Sequence, residues 1–142
     1  MFRGSAQLNL DSKGRLVIPA RYHEILRERC GGHLVITGDV ERNLLVYPLP
    51  EWEGIQQKLE SLSNLDPRVR ALQRRLIGFA VDTEMDAAGR VLVSPELRHY
   101  AQLEKAVMLA GMGKKFELWS LEQWESRAAP LAESVEIEGF SL

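Results

Sequence analysis

An internal repeat limits what this chain can fold into more than any other feature. Laid without a gap, residues 2–26 fall over 77–101, so LNLDSKGRLVIP meets TEMDAAGRVLVS and Asp11, Gly14 and Arg15 meet Asp86, Gly89 and Arg90. The same offset sets Tyr22, Ile25 and Leu26 over Leu97, Tyr100 and Ala101. After a deletion of two residues LVITG (34–38) lies over VMLAG (107–111), and after one more VYPLPEWE (46–53) lies over LWSLEQWE (118–125). Three separated blocks in one order indicate duplication.

Each half reads as strand, loop, strand, helix, strand, strand, helix. Leu8 and Leu10 alternate with polar residues before the loop, and Leu16 and Ile18 alternate after it, the period of a half-buried strand. This predicts a hairpin in which Gly14 supplies a positive φ, Asp11 accepts from backbone amides, and Asp11 and Arg15 pair across the loop's ends. Asp86, Gly89 and Arg90 repeat the arrangement, so the plain reading of D-x-x-G-R is a turn staple. Pro19 then opens a helix with Tyr22, Ile25 and Leu26 as its apolar stripe and Gly31 at its end. In the second half Ser94 is the N-cap and Pro95 the first helical residue.

Two short strands follow in each half, then a helix: Trp52, Ile55, Leu59 and Leu62 form one apolar face, and Ser120 with Gln123 offers a capping box ahead of Trp124. Asp66 and Pro67 start a linking helix that ends at Gly78. The expected units are residues 1–62 and 79–127 as the two repeats with their closing helices, 63–78 as the linking helix, and 128–142 as an acidic tail without order. A two-stranded hairpin with one helix leaves an apolar face and open edges. Two copies facing each other can close those edges, which predicts a single barrel with a pseudo-two-fold axis. A chain of 142 residues can bury roughly 70% of its unfolded surface, enough for such a core without staples.

The single Cys30 makes no internal disulfide, no apolar run approaches a membrane span, and MFRGSAQLNLDSKGR lacks a signal peptide's apolar core. The expectation is a cytoplasmic protein. Reactive groups are sparse. Cys30 and His33 lack further partners at zinc-ligand spacing, and His23 and His99 read as solvated surface histidines. The GMGKK segment is better explained by a hairpin turn than by a phosphate loop, and Tyr47, Trp52, Trp119 and Trp124 recur at equivalent places as core. No enzyme, metal, cofactor or small-molecule substrate is expected.

Charge counted locally points elsewhere. The chain's net charge is −2, but residues 1–29 hold six bases against three acids, a balance of +3, and the other 113 residues carry −5. Arg3, Lys13, Arg15 and Arg21 fall at the first strand, the loop and the start of the helix, where they could converge on one surface. Arginine offers bidentate hydrogen bonds to phosphate or guanine, and lysine a point charge. RVRALQRR (68–75) is also basic, and reads as the solvated face of the linking helix.

MFRG at the start, LDSKGRLVIPARY (10–22) and MDAAGRVLVSPELRHYAQLEKAVMLAGMGKKFELWSLEQWE (85–125) together resemble the MraZ family of bacterial transcriptional regulators. The resemblance covers nearly the whole chain. It implies an α+β fold of two AbrB-like swapped-hairpin repeats forming one barrel, homo-oligomeric rings, and association with the nucleoid. It also implies binding to repeated double-stranded DNA sites upstream of the division and cell-wall gene cluster, including the protein's own operon. Carried over by position, the DNA-contact residues are Arg15 first, then Lys13 and Arg3, with Arg21 last. The second loop has Ala87 and Ala88 where the first has Ser12 and Lys13, so Asp86, Gly89 and Arg90 are assigned to turn structure, as are Asp11 and Gly14. The alternative is an oligomeric scaffold that binds protein through the acidic second half.

Overall fold

A computed structural model describes residues 1–142. The first half runs β1 (Phe2–Asn9), β2 (Arg15–Val17), a 3-10 turn (Ala20–Tyr22) leading into α1 (His23–Cys30), β3 (His33–Gly38), β4 (Leu44–Pro48) and α2 (Leu49–Glu60). The connecting helix is α3 (Pro67–Leu76). The second half repeats the order with β5 (Val81–Glu84), β6 (Arg90–Leu92), α4 (Pro95–Tyr100), β7 (Ala106–Gly113) and β8 (Phe116–Ser120). It closes with α5 (Leu121–Gln123), a π turn (Trp124–Ala128) and α6 (Ala129–Ser134).

Local chemistry sets the helix ends. Asp66, Ser94 and Ser120 each accept an amide of the first turn into the side chain, and Gly31 ends α1 at φ 61°. Pro19 stands one residue before its helical turn, as the N-cap.

Pairing between the halves dominates the topology. A six-stranded antiparallel sheet runs β1-β7-β8-β4-β3-β5, and β2 pairs with β6 in a separate ribbon. Each half's first strand therefore pairs with the other half's third: Asn9 opposes Ala106, and Glu84 opposes His33. In the ribbon Leu16 opposes Val91, its own repeat equivalent, and at the sheet centre Leu45 opposes Glu117, again its equivalent. The pseudo-two-fold axis passes through these two pairs.

Three expectations need correction. Asp11 and Arg15 close a turn, but β1 and β2 do not continue as a hairpin. The eight-residue β1 makes a full ladder with β7, which three-residue β2 is too short to offer. The sheet is not a closed barrel, since β1 and β5 remain its edges and the ribbon covers one face instead. Nor does order stop at residue 127. Helix formers Ala128, Ala129, Leu131 and Ala132 carry the helix to Ser134, and Arg127 anchors it by donating to the Glu41 carbonyl at 2.6 Å. The π turn's wider bond, Ala129 N to Trp124 O, precedes Pro130, which has no amide hydrogen to give.

The main core lies between sheet and ribbon. Leu16, Ile18, Val91 and Val93 from the ribbon meet Phe2, Leu34, Val46, Val107, Phe116 and Leu118 from the sheet, with Leu26 and Leu97 supplied by α1 and α4. On the sheet's other face α2 and α3 cover the first half: Trp52 packs on Val35, Leu45 and Tyr47, and Thr37 Oγ1 donates to the Leu76 carbonyl at 2.6 Å. Trp119 is buried in the second half, whereas Trp124 is only half-buried, edge-on to it at 6.4 Å.

Because four of the six strand pairings cross between repeats, neither half holds a complete sheet. Residues 1–75 and 76–142 expressed separately are expected to give collapsed amide chemical-shift dispersion. Co-refolding of the two is expected to restore it; native dispersion in either half alone would contradict the interleaved topology.

Candidate nucleic-acid interface

The first D-x-x-G-R element is a closed turn. Asp11 N donates to the Arg15 carbonyl at 2.9 Å and Gly14 N donates to the Asp11 carbonyl at 3.0 Å, with Gly14 at φ 82°. The Asp11 carboxylate accepts from Lys13 N, Arg15 N and Arg15 Nε at 2.9, 2.8 and 2.7 Å. The second element repeats each of these contacts: Asp86 accepts from Ala88 N, Arg90 N and Arg90 Nε at 3.0, 2.8 and 2.8 Å, and Gly89 has φ 82°. Both are staples, and in this geometry Arg15 and Arg90 are alike.

Donation to the carboxylates holds both acids below the usual range. The Arg15 amide contributes most at Asp11, followed by its guanidinium and the Lys13 amide, and together they bring Asp11 to about 2. Asp86 is lowered in the same way, by the Arg90 amide first.

What remains free after stapling differs between the copies. Each arginine spends Nε on its aspartate and keeps both terminal nitrogens without a bond inside the chain. Leu16 and Val91 point to the core, so Arg15, Val17, Arg90 and Leu92 share the ribbon's outward face. The first loop adds the exposed Lys13 and Ser12, where the second has the two alanines. Arg27 from α1 also pins the second loop, donating to the Ala87 carbonyl at 3.1 Å. Its repeat equivalent is Gln102, which leaves the first loop without such a clamp.

Each loop is seated on the opposite repeat. Ile18 N donates to the Gly89 carbonyl and Val93 N to the Gly14 carbonyl, both at 2.9 Å. A β-carbon on Gly89 would overlap the His23 ring, whose Nε2 is bonded to the Ile18 carbonyl. His23 is thus half-buried between repeats, not the solvated residue expected, because the glycine opposite leaves it room. His99 is exposed.

The four basic candidates do not converge on one spot. Tyr22 Oη donates to the Arg3 carbonyl at 2.6 Å and the Arg21 guanidinium lies 4.7 Å over the Tyr22 ring, which brings Arg3 and Arg21 together at the start of β1. Lys13 and Arg15 sit past its other end. At about 3.3 Å per residue the two pairs stand on the order of 20 Å apart along the strand. On α3, Arg68 pairs with Asp66 at 2.8 Å and Arg70 donates to the Asn64 carbonyl at 2.6 Å, so half of that basic run is occupied locally. No three His, Cys, Asp or Glu side chains come close enough to share a metal ion, and no helix is long and apolar enough to cross a membrane.

A family model described as "MraZ protein, putative antitoxin-like" matches the chain twice, over residues 1–75 and 76–138. The chain belongs to the MraZ family. The two matches divide it where the repeat does. A protein named transcriptional regulator MraZ from Nitrosomonas eutropha is 51% identical over 148 aligned residues, covering 100% of both chains. Its namesake from Nitrosomonas europaea is 52% identical with the same coverage. That of Thioalkalivibrio sulfidiphilus is 56% identical over 124 residues, 87% of this chain and 83% of its own.

Sequence reasoning placed both staples of this MraZ-family fold and overlooked Arg27 and Arg98, the latter the repeat equivalent of His23. The offset of the alignment was the available signal, since it pairs each helix residue with one facing the other loop.

The depressed acids generate a pH prediction. A carboxylate whose folded pKa lies below its unfolded value of about 3.9 contributes stability above that value and loses it as pH falls through the folded one. For Asp11 the window runs from about 3.9 down to about 2. Carboxyl-carbon NMR is expected to show Asp11 still ionised at pH 3. A midpoint near 4 would mean that the staple is open in solution.

Proposed function

We propose that this chain is a DNA-binding regulator of transcription, a binding protein and not an enzyme, that holds duplex DNA through the Asp11–Arg15 turn. The observation that carries the reading is what the staple leaves unbonded: the exposed Lys13 ammonium and both terminal nitrogens of the half-buried Arg15, on a turn whose backbone is fixed. Relatives matching over their full length carry the name transcriptional regulator, which supports the same reading.

Lysine meets phosphate as a point charge, while a rigidly held arginine can present two parallel donors to phosphate or to a guanine edge. Arg3 and Arg21 form a second contact, on a different stretch of backbone. Asp86, Gly89 and Arg90 hold the second turn. The chain acts in the cytoplasm, on the nucleoid, as one repeated unit of a homo-oligomeric ring of AbrB-like modules. A ring suits so small a basic patch. When sites recur along the DNA, as upstream of a division and cell-wall gene cluster that includes the protein's own gene, each added contact becomes intramolecular and raises avidity.

Titration of labelled DNA from upstream of the gene, at several salt concentrations, tests this. Binding is expected to weaken steeply with salt, by a log-log slope of about −0.9 for each phosphate neutralised. Lys13→Ala should make that slope shallower by about one, and Arg15→Ala should weaken binding by tenfold or more (roughly 1.4 kcal/mol) with the light-scattering mass unchanged. Absence of binding at low salt would favour a protein-binding scaffold; a collapsed mass in Arg15→Ala would make Arg15 an assembly residue.

A further inference from the structure

We infer that Arg98, contributed by the second repeat, is a positioning residue that holds the Asp11–Arg15 turn of the first repeat in its DNA-binding shape. The inference rests on the reading of that turn as the DNA contact and extends it to a residue far away in sequence.

Arg98 Nε donates to the Val93 carbonyl at 3.0 Å, while Val93 N donates to the Gly14 carbonyl at 2.9 Å. One backbone unit therefore binds the turn with its amide and the arginine with its carbonyl. The guanidinium lies on the α-carbon of Gly14: a β-carbon there would stand 2.6 Å from Arg98 Nε and 2.7 Å from Cζ. Gly14 is buried beneath it, and Asp11, Ser12 and Lys105 line the adjoining cleft of about 550 Å³. Gly14 sits between Lys13 and Arg15, so a shift at this glycine displaces both proposed contacts.

The pseudo-symmetry supplies an independent second instance. His23, at the equivalent place, bonds the Ile18 carbonyl and covers Gly89, just as Arg98 bonds the Val93 carbonyl and covers Gly14. The same job done by two different side chains argues that the position serves to seat the opposite loop. It also identifies the control, because His23 carries a like structural burden on the loop that has no exposed lysine.

Arg15→Ala, Arg98→Ala, Arg98→His and His23→Ala are compared by salt-dependent titration of the upstream DNA and by amide hydrogen exchange on the full-length protein. Arg98→Ala is expected to weaken binding about tenfold, with a salt slope no shallower than that of Lys13→Ala combined with Arg15→Ala, and to speed exchange at Gly14 but not at Gly89. Arg98→His should stay within about threefold of the unaltered protein, since histidine fills the role at position 23. His23→Ala should speed exchange at Gly89 and leave affinity within about threefold. Where Arg98→Ala does not fold, Arg98→Gln, which keeps part of the stem, is expected to rank the same way.

Equal losses in Arg98→Ala and His23→Ala would overturn the inference in favour of general destabilisation. A further loss of slope when Arg98→Ala is added to Lys13→Ala and Arg15→Ala together would overturn it too, by giving Arg98 a phosphate of its own. If Arg15→Ala loses binding and Arg98→Ala does not, the Arg98 inference alone fails. If Arg15→Ala binds normally, the reading of the turn fails first and this one with it.

Discussion

Two hydrogen bonds at the ends of the ribbon, Ile18 N to the Gly89 carbonyl and Val93 N to the Gly14 carbonyl, organise the molecule. They lie symmetrically about the Leu16–Val91 pair and tie each turn to the strand of the other repeat. Around them the apolar side chains Leu16, Ile18, Val91 and Val93 are nearly inaccessible, so the bonds sit where water competes poorly for their partners. The ribbon is three residues per strand and would be marginal in isolation. It persists because the sheet is packed beneath it and a helix residue lies on each glycine. Both glycines are required by their positive φ, and a side chain of the other repeat lies on each.

On this symmetric frame the chemistry is asymmetric. Backbone contacts recur in both turns almost to the tenth of an ångström, while the side chains that face outward or clamp differ: Ser12 and Lys13 against Ala87 and Ala88, His23 against Arg98, Arg27 against Gln102. The second turn is held by an extra guanidinium and offers no lysine. The first is held by Arg98 and adds the exposed Lys13 to its stapled arginine. One copy is thus tied down more heavily, and the other exposes more charge.

Much of this was legible in the sequence. Turn and caps follow from local chemistry: Asp with Gly three residues later, Ser94 before Pro95, Asp66 before Pro67. Strand partners did not follow, because alternation of Leu8 and Leu10 shows that a strand has one buried face but is silent on which strand lies beside it. Adjacency along the chain favoured a hairpin of β1 with β2; the longer ladder with β7 prevailed. The same blindness hid the site's supports. Nothing near Lys13 in sequence announces Arg98, and His23 beside charged neighbours resembles a surface residue until the other repeat closes over it.

Covalent fusion of the two repeats explains why such asymmetry can exist at all. A homodimer of one repeat would bury the same core, but its two turns would be identical, and any substitution at one would appear at both. It would also depend on concentration for its folding, since four strand pairings cross the axis. Joined in one chain, the halves meet at an effective concentration set by the intervening α3 and the loops beside it, and each position varies independently. A lysine can then stand at 13 with an alanine at 88, and an arginine at 98 with a histidine at 23, while the backbone bonds that need two-fold symmetry are untouched. The pseudo-dyad persists in those bonds because they demand only amides, carbonyls and two glycines. The side chains around them are released to differ.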